Sequence, residues 1–131
     1  MNVKNFLTLY AVLVTIYGIF FLFFPNNAIG LYGGESSALL GNAMQGLGSV
    51  FIPAGIMSWI ARDASASFGR KAVLSFIGLS SLIFGVRSII SMVSDSAGMV
   101  GSQPYIDLAV QIIFAAGGLY FFSKEKGFMT D

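Results

Sequence analysis

The sequence contains no cysteine and no histidine among its 131 residues. Without cysteine there are no disulfides and no thiolate nucleophiles, and without histidine the imidazole base and the commonest metal ligand are missing. A Ser–His or Cys–His catalytic arrangement is therefore excluded, and a lone aspartate among glutamines is a poor metal site. We expect no enzymatic activity, no metal and no cofactor from this chain alone.

Charge is also scarce, because only 10% of the residues are charged while 56% are hydrophobic. Soluble domains carry about 25% charged residues, since a surface that faces water needs them. The few basic residues do not cluster with aromatic ones, so no nucleic-acid surface is indicated. Membrane lipid is then the expected solvent, and the length allows one domain over residues 1–131.

Four apolar segments are long enough to cross a bilayer as helices, which takes about 20 residues each. They cover about residues 5–24, 39–61, 72–94 and 105–123. The predicted fold is an all-α integral membrane protein with four transmembrane helices in an antiparallel up-down bundle. Between the first two helices, we expect Ala28–Tyr32 to lie along the membrane interface as a short turn, with Tyr32 as an anchor.

The basic residues predict which way the bundle is oriented. If four helices alternate, all lysines and arginines except Arg87 fall on one side: Lys4, Arg62, Arg70, Lys71, Lys124 and Lys126. Positive charge is retained in the cytoplasm, so both termini should be cytoplasmic and the chain should lie in the cytoplasmic (inner) membrane. Glu35 and Asp95 should then lie outside.

This orientation places four polar residues from three helices at one depth in the outer half of the membrane: Gln45, Arg87, Asp107 and Gln111. Arg87 lies seven residues before Ser94, which corresponds to about 10 Å at 1.5 Å per residue. A charge in hydrocarbon costs ~2.5–3.5 kcal/mol even on the lenient insertion scale, so Arg87 should have a partner.

Three interpretations of Arg87 are open. In the first, it forms a salt bridge with Asp107 that joins the third helix to the fourth, with the glutamines as further interhelical links. In the second, its long stem carries the guanidinium group to the outer interface. In the third, the polar residues around Arg87, capped by Glu35 from the outer loop, bind a carboxylate, a phosphate or a quinone oxygen.

Small residues at regular spacings predict surfaces for helix packing. They are Gly41, Gly48 and Gly55 in the second helix and Gly78, Ser81 and Gly85 in the third. Such stripes let helix backbones approach closely, which drives association in lipid. They favour a homo-oligomer or a place in a larger membrane complex.

Three features of the chain look like a known family: the first-helix ending from Tyr17-Gly18 to Pro25, the following Leu31-Tyr32-Gly33, and the polar start of the last helix. In these features the whole chain resembles the DoxX-like small four-helix membrane proteins of bacteria. Members of that family have been tied to redox or quinone-linked complexes, so the resemblance implies an accessory membrane subunit or a binder of small amphiphiles.

Two functions are therefore predicted. The leading one is a non-enzymatic multi-pass membrane protein that serves as an accessory or assembly subunit. The alternative is a binder or carrier of a lipid, a quinone or a small organic anion through the outer-half polar residues around Arg87.

Overall fold

The computed structural model describes residues 1–94 and 102–125, and within these ranges it contains five α-helices and no strand. The helices are α1 (Val3–Phe23), α2 (Pro25–Leu31), α3 (Ala38–Ala61), α4 (Phe68–Val93) and α5 (Gln103–Lys124). All but α2 are long and apolar enough to cross a membrane, which indicates a membrane protein. The predicted all-helical chain with four apolar spans is confirmed. Asp95 and Lys126, which the orientation argument used, lie outside the described residues.

The helix α4 begins one turn earlier than the sequence predicts. Ser67 is its N-cap residue, and the Ser67 hydroxyl accepts a hydrogen bond from the backbone N–H of Arg70 at 3.2 Å. A serine at this position satisfies one of the N–H groups that the first turn leaves unpaired. Arg70 and Lys71 therefore belong to the helix, although their charge favours a connecting loop.

The short helix α2 replaces the predicted interfacial turn. Pro25 occupies its first turn, where the missing N–H of proline costs nothing. After the helix, Gly33 has a positive φ of 73°, a backbone conformation that favours glycine, and its N–H donates to the Gly30 carbonyl at 3.0 Å. The chain thereby reverses, α2 packs against α3, and the side chain of Tyr32 reaches α5.

The long helices pack as two close pairs, α1 with α3 and α4 with α5. Glycines determine how closely the two helices of each pair approach each other. A Cβ atom on Gly48 would lie 2.7 Å from the Gly18 carbonyl oxygen, and one on Gly118 would lie 2.6 Å from the Gly78 nitrogen. Any larger residue at these positions would force the backbones apart, which is the packing that small residues allow in membranes.

The predicted packing residues do not all lie in these contacts. Gly48, Gly55 and Gly78 do, Ser81 is buried in α4, and Gly85 packs on α5. Gly41 does not, because a Cβ atom there would meet nothing within 4 Å. The start of α3 borders an open cleft, so the packing role of Gly41 stays a prediction for contacts outside this chain. Gly18 and Gly118, which the sequence pattern does not single out, also take part in the close contacts.

Aromatic side chains join the two helix pairs. The rings of Tyr10 and Phe114 meet edge to face at 5.0 Å, and Phe6 lies 5.9 Å from Phe114 and 5.2 Å from Phe121. We call these four residues the aromatic seam. Phe6, Tyr10 and Phe114 belong to a buried core that also contains Leu7, Ala61, Val73, Leu74 and Ile77, and the partly buried Phe121 packs against it. Large rings fill the wider gap between the pairs, whereas glycines close the gap within each pair.

Candidate functional site

Asp107, in the second turn of α5, is the centre of a polar cluster. Its carboxylate accepts hydrogen bonds from the hydroxyl of Tyr17 at 3.0 Å, from the amide of Gln103 at 2.9 Å and from the hydroxyl of Tyr32. The Gln103 amide also lies within hydrogen-bonding distance of the Tyr17 hydroxyl, at 3.3 Å. We call Tyr17, Tyr32, Gln103 and Asp107 the Asp107 cluster. It ties α1 and the end of α2 to α5, and it lies about 16 Å along α1 from Phe6 in the aromatic seam.

Three neutral groups, and no cation, hold the Asp107 carboxylate within the described part of the chain. Hydrogen bonds to a charged group are stronger than neutral ones, so the three donors offset part of the cost of removing the carboxylate from water. Burial raises the pKa of the Tyr32 phenol, and the hydrogen bond to Asp107 and its negative charge raise that pKa further. Tyr32 therefore keeps its proton and acts as a donor at neutral pH.

Arg87 does not belong to this cluster. Its side chain is exposed, and the ion pairs among the described residues leave it out. The salt bridge to Asp107 that the sequence favours is therefore not formed. The reason is the helical turn: α4 directs Gly85 at α5, and Arg87 lies two residues or about 200° further round the helix, on the opposite face.

The other predicted members of the polar site lie apart from one another. Gln45 is exposed on α3 and donates only a long hydrogen bond, 3.4 Å, to the Leu22 carbonyl. Gln111 is half-buried, and its Cβ lies 3.6 Å from where a Cβ on Gly85 would be. Glu35 is exposed in the α2–α3 connection. An equal predicted depth does not place side chains on facing surfaces, and only Asp107 of this set lies in the cluster.

Similarity to known proteins gives no further guide to the site. No family model, curated protein or solved structure matches this chain. The DoxX-like resemblance rests on short sequence motifs, and two residues of these motifs, Tyr17 and Tyr32, are members of the Asp107 cluster. The function must be inferred from the geometry.

A polar cleft of about 400 Å³ lies beside the start of α3. Its lining consists of Asn26, Ser36, Ser37, Ala38, Gly41, Asn42 and Gln45. The cleft is shallow and open, and neither Arg87 nor Asp107 lines it. It therefore does not join the predicted polar residues into a common binding site.

Ion pairs close the opposite end of the bundle. Arg70 and Glu125 form a two-pronged pair, with Nε–Oε1 at 2.7 Å and Nη2–Oε2 at 3.0 Å, and Glu125 is buried. Lys4 contacts Asp63 at 2.6 Å across the surface. The hydrogen bond from Lys4, followed by that from Arg62, lowers the pKa of the exposed Asp63 carboxyl. These pairs tie the start of α1 to the α3–α4 connection and the end of α5 to the first turn of α4.

Some members of the Asp107 cluster could have been found in the sequence. Gln103 and Asp107 are four residues apart on one helix, a spacing at which glutamine and aspartate side chains meet. The sequence around Tyr32 predicts a membrane anchor, because a phenol at the interface is favoured whether or not it has a protein partner. No local signal relates Tyr17 to Asp107.

Proposed function

We propose that this chain is a non-enzymatic multi-pass protein of the cytoplasmic membrane, an accessory or assembly subunit that packs against itself or a larger membrane complex. The observation that supports this most is a polar stripe on the outward face of α3, formed by Asn42, Gln45, Gly46 and Ser49, all of which are exposed. These positions follow the three- and four-residue spacing of one helix face.

The two amide side chains of the stripe are poorly satisfied within the described chain, whereas the Ser49 hydroxyl donates to the Gln45 carbonyl at 2.6 Å. The side chain of Asn42 has no hydrogen bond within the described ranges, and Gln45 has only the long one to Leu22. Both amides also line the polar cleft at the start of α3. Amide groups with few partners within a membrane bundle are usually satisfied by a neighbouring helix. Gly46 adds the small surface that lets such a helix approach; a Cβ there would meet nothing within 4 Å. A helix of a second protein chain is the natural partner for this face.

The association can be measured with the mass of the purified particle in mild detergent. We expect a dimer, a larger oligomer or a complex with another membrane protein, and we expect Gln45→Leu combined with Asn42→Leu to reduce its mass. Val50→Leu, an exposed apolar position on another face of α3, is the matched control. A wild-type particle that is strictly monomeric and carries no other protein would contradict the proposal.

The antiparallel order of the helices and their orientation are part of the same proposal. A Cβ on Gly55 would lie 3.0 Å from the Ala11 carbonyl oxygen, and one on Gly48 would lie 2.7 Å from the Leu22 nitrogen, so later residues of α3 meet earlier residues of α1. This supports opposite directions for α1 and α3. The Lys4–Asp63 pair supports a common side for the N-terminus and the α3–α4 connection, and basic residues on that side favour the cytoplasm.

Because the chain has no cysteine, single cysteines can report the orientation. Ser36→Cys, in the α2–α3 connection, should react with an impermeant thiol reagent added to intact cells. Ser65→Cys, in the α3–α4 connection, should react only after the membrane is opened. The reverse pattern would overturn the proposed orientation.

A second function, the binding or transport of a lipid, a quinone or a small organic anion, is supported by Arg87. Its guanidinium group is exposed on a membrane-crossing helix and has no ionic partner among the residues that the structure describes. A charge in this position needs an anionic partner, and in this proposal the partner is a ligand from outside the chain; Asp95 lies outside the described residues. The anion would meet Arg87 alone, without Asp107.

A further inference from the structure

We infer that the outward face of α4 around Arg87 binds the phosphate group of a membrane phospholipid, with the acyl chains along the apolar side chains of the same face. This rests on the second proposed function and specifies its ligand. The assembly function of the α3 stripe does not depend on it.

The acidic side chains that the structure describes do not neutralise Arg87. Asp63 and Glu125 are paired with basic residues at the other end of the bundle, and Asp107 is held by three neutral donors. Glu35 is exposed in the α2–α3 connection and forms no ion pair within the described ranges. No acidic side chain among the described residues therefore pairs with Arg87, and the anion that we propose for it comes from the lipid around this face of α4.

The helix face around Arg87 is apolar toward the middle of α4, and toward the helix end it continues with Ser91 and the exposed Ile90. Arg87 lies seven residues before the C-cap Ser94, about 10 Å along the axis, and Ser91 lies one turn beyond it on the same side. In the other direction, the exposed side chains of Ile83, Leu79 and Phe76 continue the same face. A phosphate at Arg87 therefore leaves the acyl chains on an apolar track.

Two observations favour a phospholipid over a carboxylate of another protein. The neighbours of Arg87 on this face are large apolar side chains, whereas helix–helix contacts in membranes use small residues, as within the two helix pairs and on α3. The long side chain can also extend its guanidinium group toward the head-group layer, where lipid phosphates lie; the planar group itself pairs with two oxygens of a phosphate or of a carboxylate equally well. The apolar neighbours and the reach of the side chain thus favour one ligand, the phosphodiester of a lipid.

The test is native mass spectrometry of the full chain in mild detergent with added phosphatidylglycerol, and separately with diacylglycerol, which has the same tails without the phosphate. We expect wild type to retain phosphatidylglycerol and to retain diacylglycerol far less. Arg87→Leu should weaken phosphatidylglycerol binding about tenfold, because it removes a charge-assisted two-pronged contact. Arg87→Lys should retain an intermediate amount, because lysine keeps the charge but loses the fork.

Lys71→Leu is the matched control, since it removes a basic residue that stacks on Phe122 and lies far along α4 from Arg87. It should leave phosphatidylglycerol binding unchanged. Equal binding by wild type and Arg87→Leu would overturn the inference, and so would equal binding of the two lipids by wild type. Loss of a co-purifying protein from Arg87→Leu with lipid binding unchanged would assign Arg87 to a protein partner instead. None of these outcomes alters the mass measured for the Asn42 and Gln45 variants, so the two proposals can fail separately.

Discussion

Tyr32→Phe removes one oxygen atom from the Asp107 cluster and leaves the aromatic ring in place. The lost hydroxyl donates to a carboxylate, and hydrogen bonds to charged groups contribute about 1.5–3 kcal/mol in soluble proteins. Within membranes, measured interhelical hydrogen bonds average only about 0.6 kcal/mol and reach about 1.7. Asp107 keeps its bonds to Tyr17 at 3.0 Å and Gln103 at 2.9 Å. We therefore expect the free energy of unfolding to fall by about 1 kcal/mol, a factor of about five in the unfolding equilibrium.

The same substitution should have almost no effect once its acceptor is gone. Asp107→Leu leaves two phenols and an amide without their acceptor, so it should cost more than Tyr32→Phe, about 2 kcal/mol. Adding Tyr32→Phe to Asp107→Leu should then cost nothing further. The expected coupling energy between the two positions is about 1 kcal/mol, as for residues that share one hydrogen-bond network.

The unfolding equilibrium can be followed in mixed micelles with a rising fraction of sodium dodecyl sulfate. Trp59, the only tryptophan of the chain, is exposed and stacks with Arg62 three residues further on, so helix content measured by circular dichroism is the better readout of this transition. Tyr105→Phe is the matched control, because Tyr105 is exposed on α5 and its hydroxyl has no hydrogen bond among the residues described.

Equal losses from Tyr32→Phe with and without Asp107 would refute the Asp107 cluster. The same assay separates this cluster from the alternative salt bridge. Losses from Arg87→Leu and Asp107→Leu should be additive, since no ion pair joins these two residues in the structure. Recovery of stability in the double variant would instead show that Arg87 is the partner of Asp107.

Three further predictions concern the helix pairs and the ends of the bundle. Gly78→Ala should lower the free energy of unfolding by about 1–3 kcal/mol, because the added Cβ overpacks the contact with α5. Gly41→Ala, where a Cβ meets open space, should change it by less than about 0.5 kcal/mol. Equal effects of the two substitutions would contradict the packing of α4 on α5. Arg70→Leu should destabilise the fold more than Arg70→Leu with Glu125→Leu, because a buried unpaired carboxylate is left behind, and simple additivity of the single losses would argue against the pair. Because the pKa of Tyr32 is raised in the folded protein, the native state keeps the phenol proton at a pH where the unfolded chain loses it. The contribution of Tyr32 to the free energy of unfolding is therefore complete below the usual tyrosine pKa of about 10 and falls as the pH rises above that value. Tyr32→Phe should weaken the alkaline loss in a pH series of thermal unfolding, and superimposable curves would rule the effect out.

Hydropathy predicts the four long helices because a span of apolar residues needs no tertiary partner to be recognised. Hydropathy does not predict where α4 begins, because the Ser67 cap and the Arg70–Glu125 pair extend this helix into a charged stretch. It also treats Tyr32 as an interfacial anchor, because an apolar ring with a wet hydroxyl suits that position without any protein contact.

The polar residues were harder to predict, because the sequence gives their position along a helix and leaves open which helix they face. Arg87 and Asp107 were assigned one depth, but α4 turns Gly85 toward α5 and leaves Arg87 on the opposite face. Besides Gln103 of α5 itself, the donors to Asp107 come from α1 and from the end of α2. Which helix Tyr17 and Tyr32 face depends on tertiary packing, which no local pattern specifies.

The pairing of α1 with α3 and of α4 with α5 implies an order in which the helices can pack during synthesis. The glycine contacts of the first pair lie within residues 1–61, so this pair can close while α4 is still being synthesised. The second pair closes only when α5 leaves the ribosome, and Phe114 and Asp107 then arrive together to complete both the aromatic seam and the Asp107 cluster. Until α5 inserts, α1 and α3 are packed together while α4 has no closely packed partner helix. A delay in the insertion of α5 should therefore leave the packing face of α4 accessible to membrane chaperones and proteases.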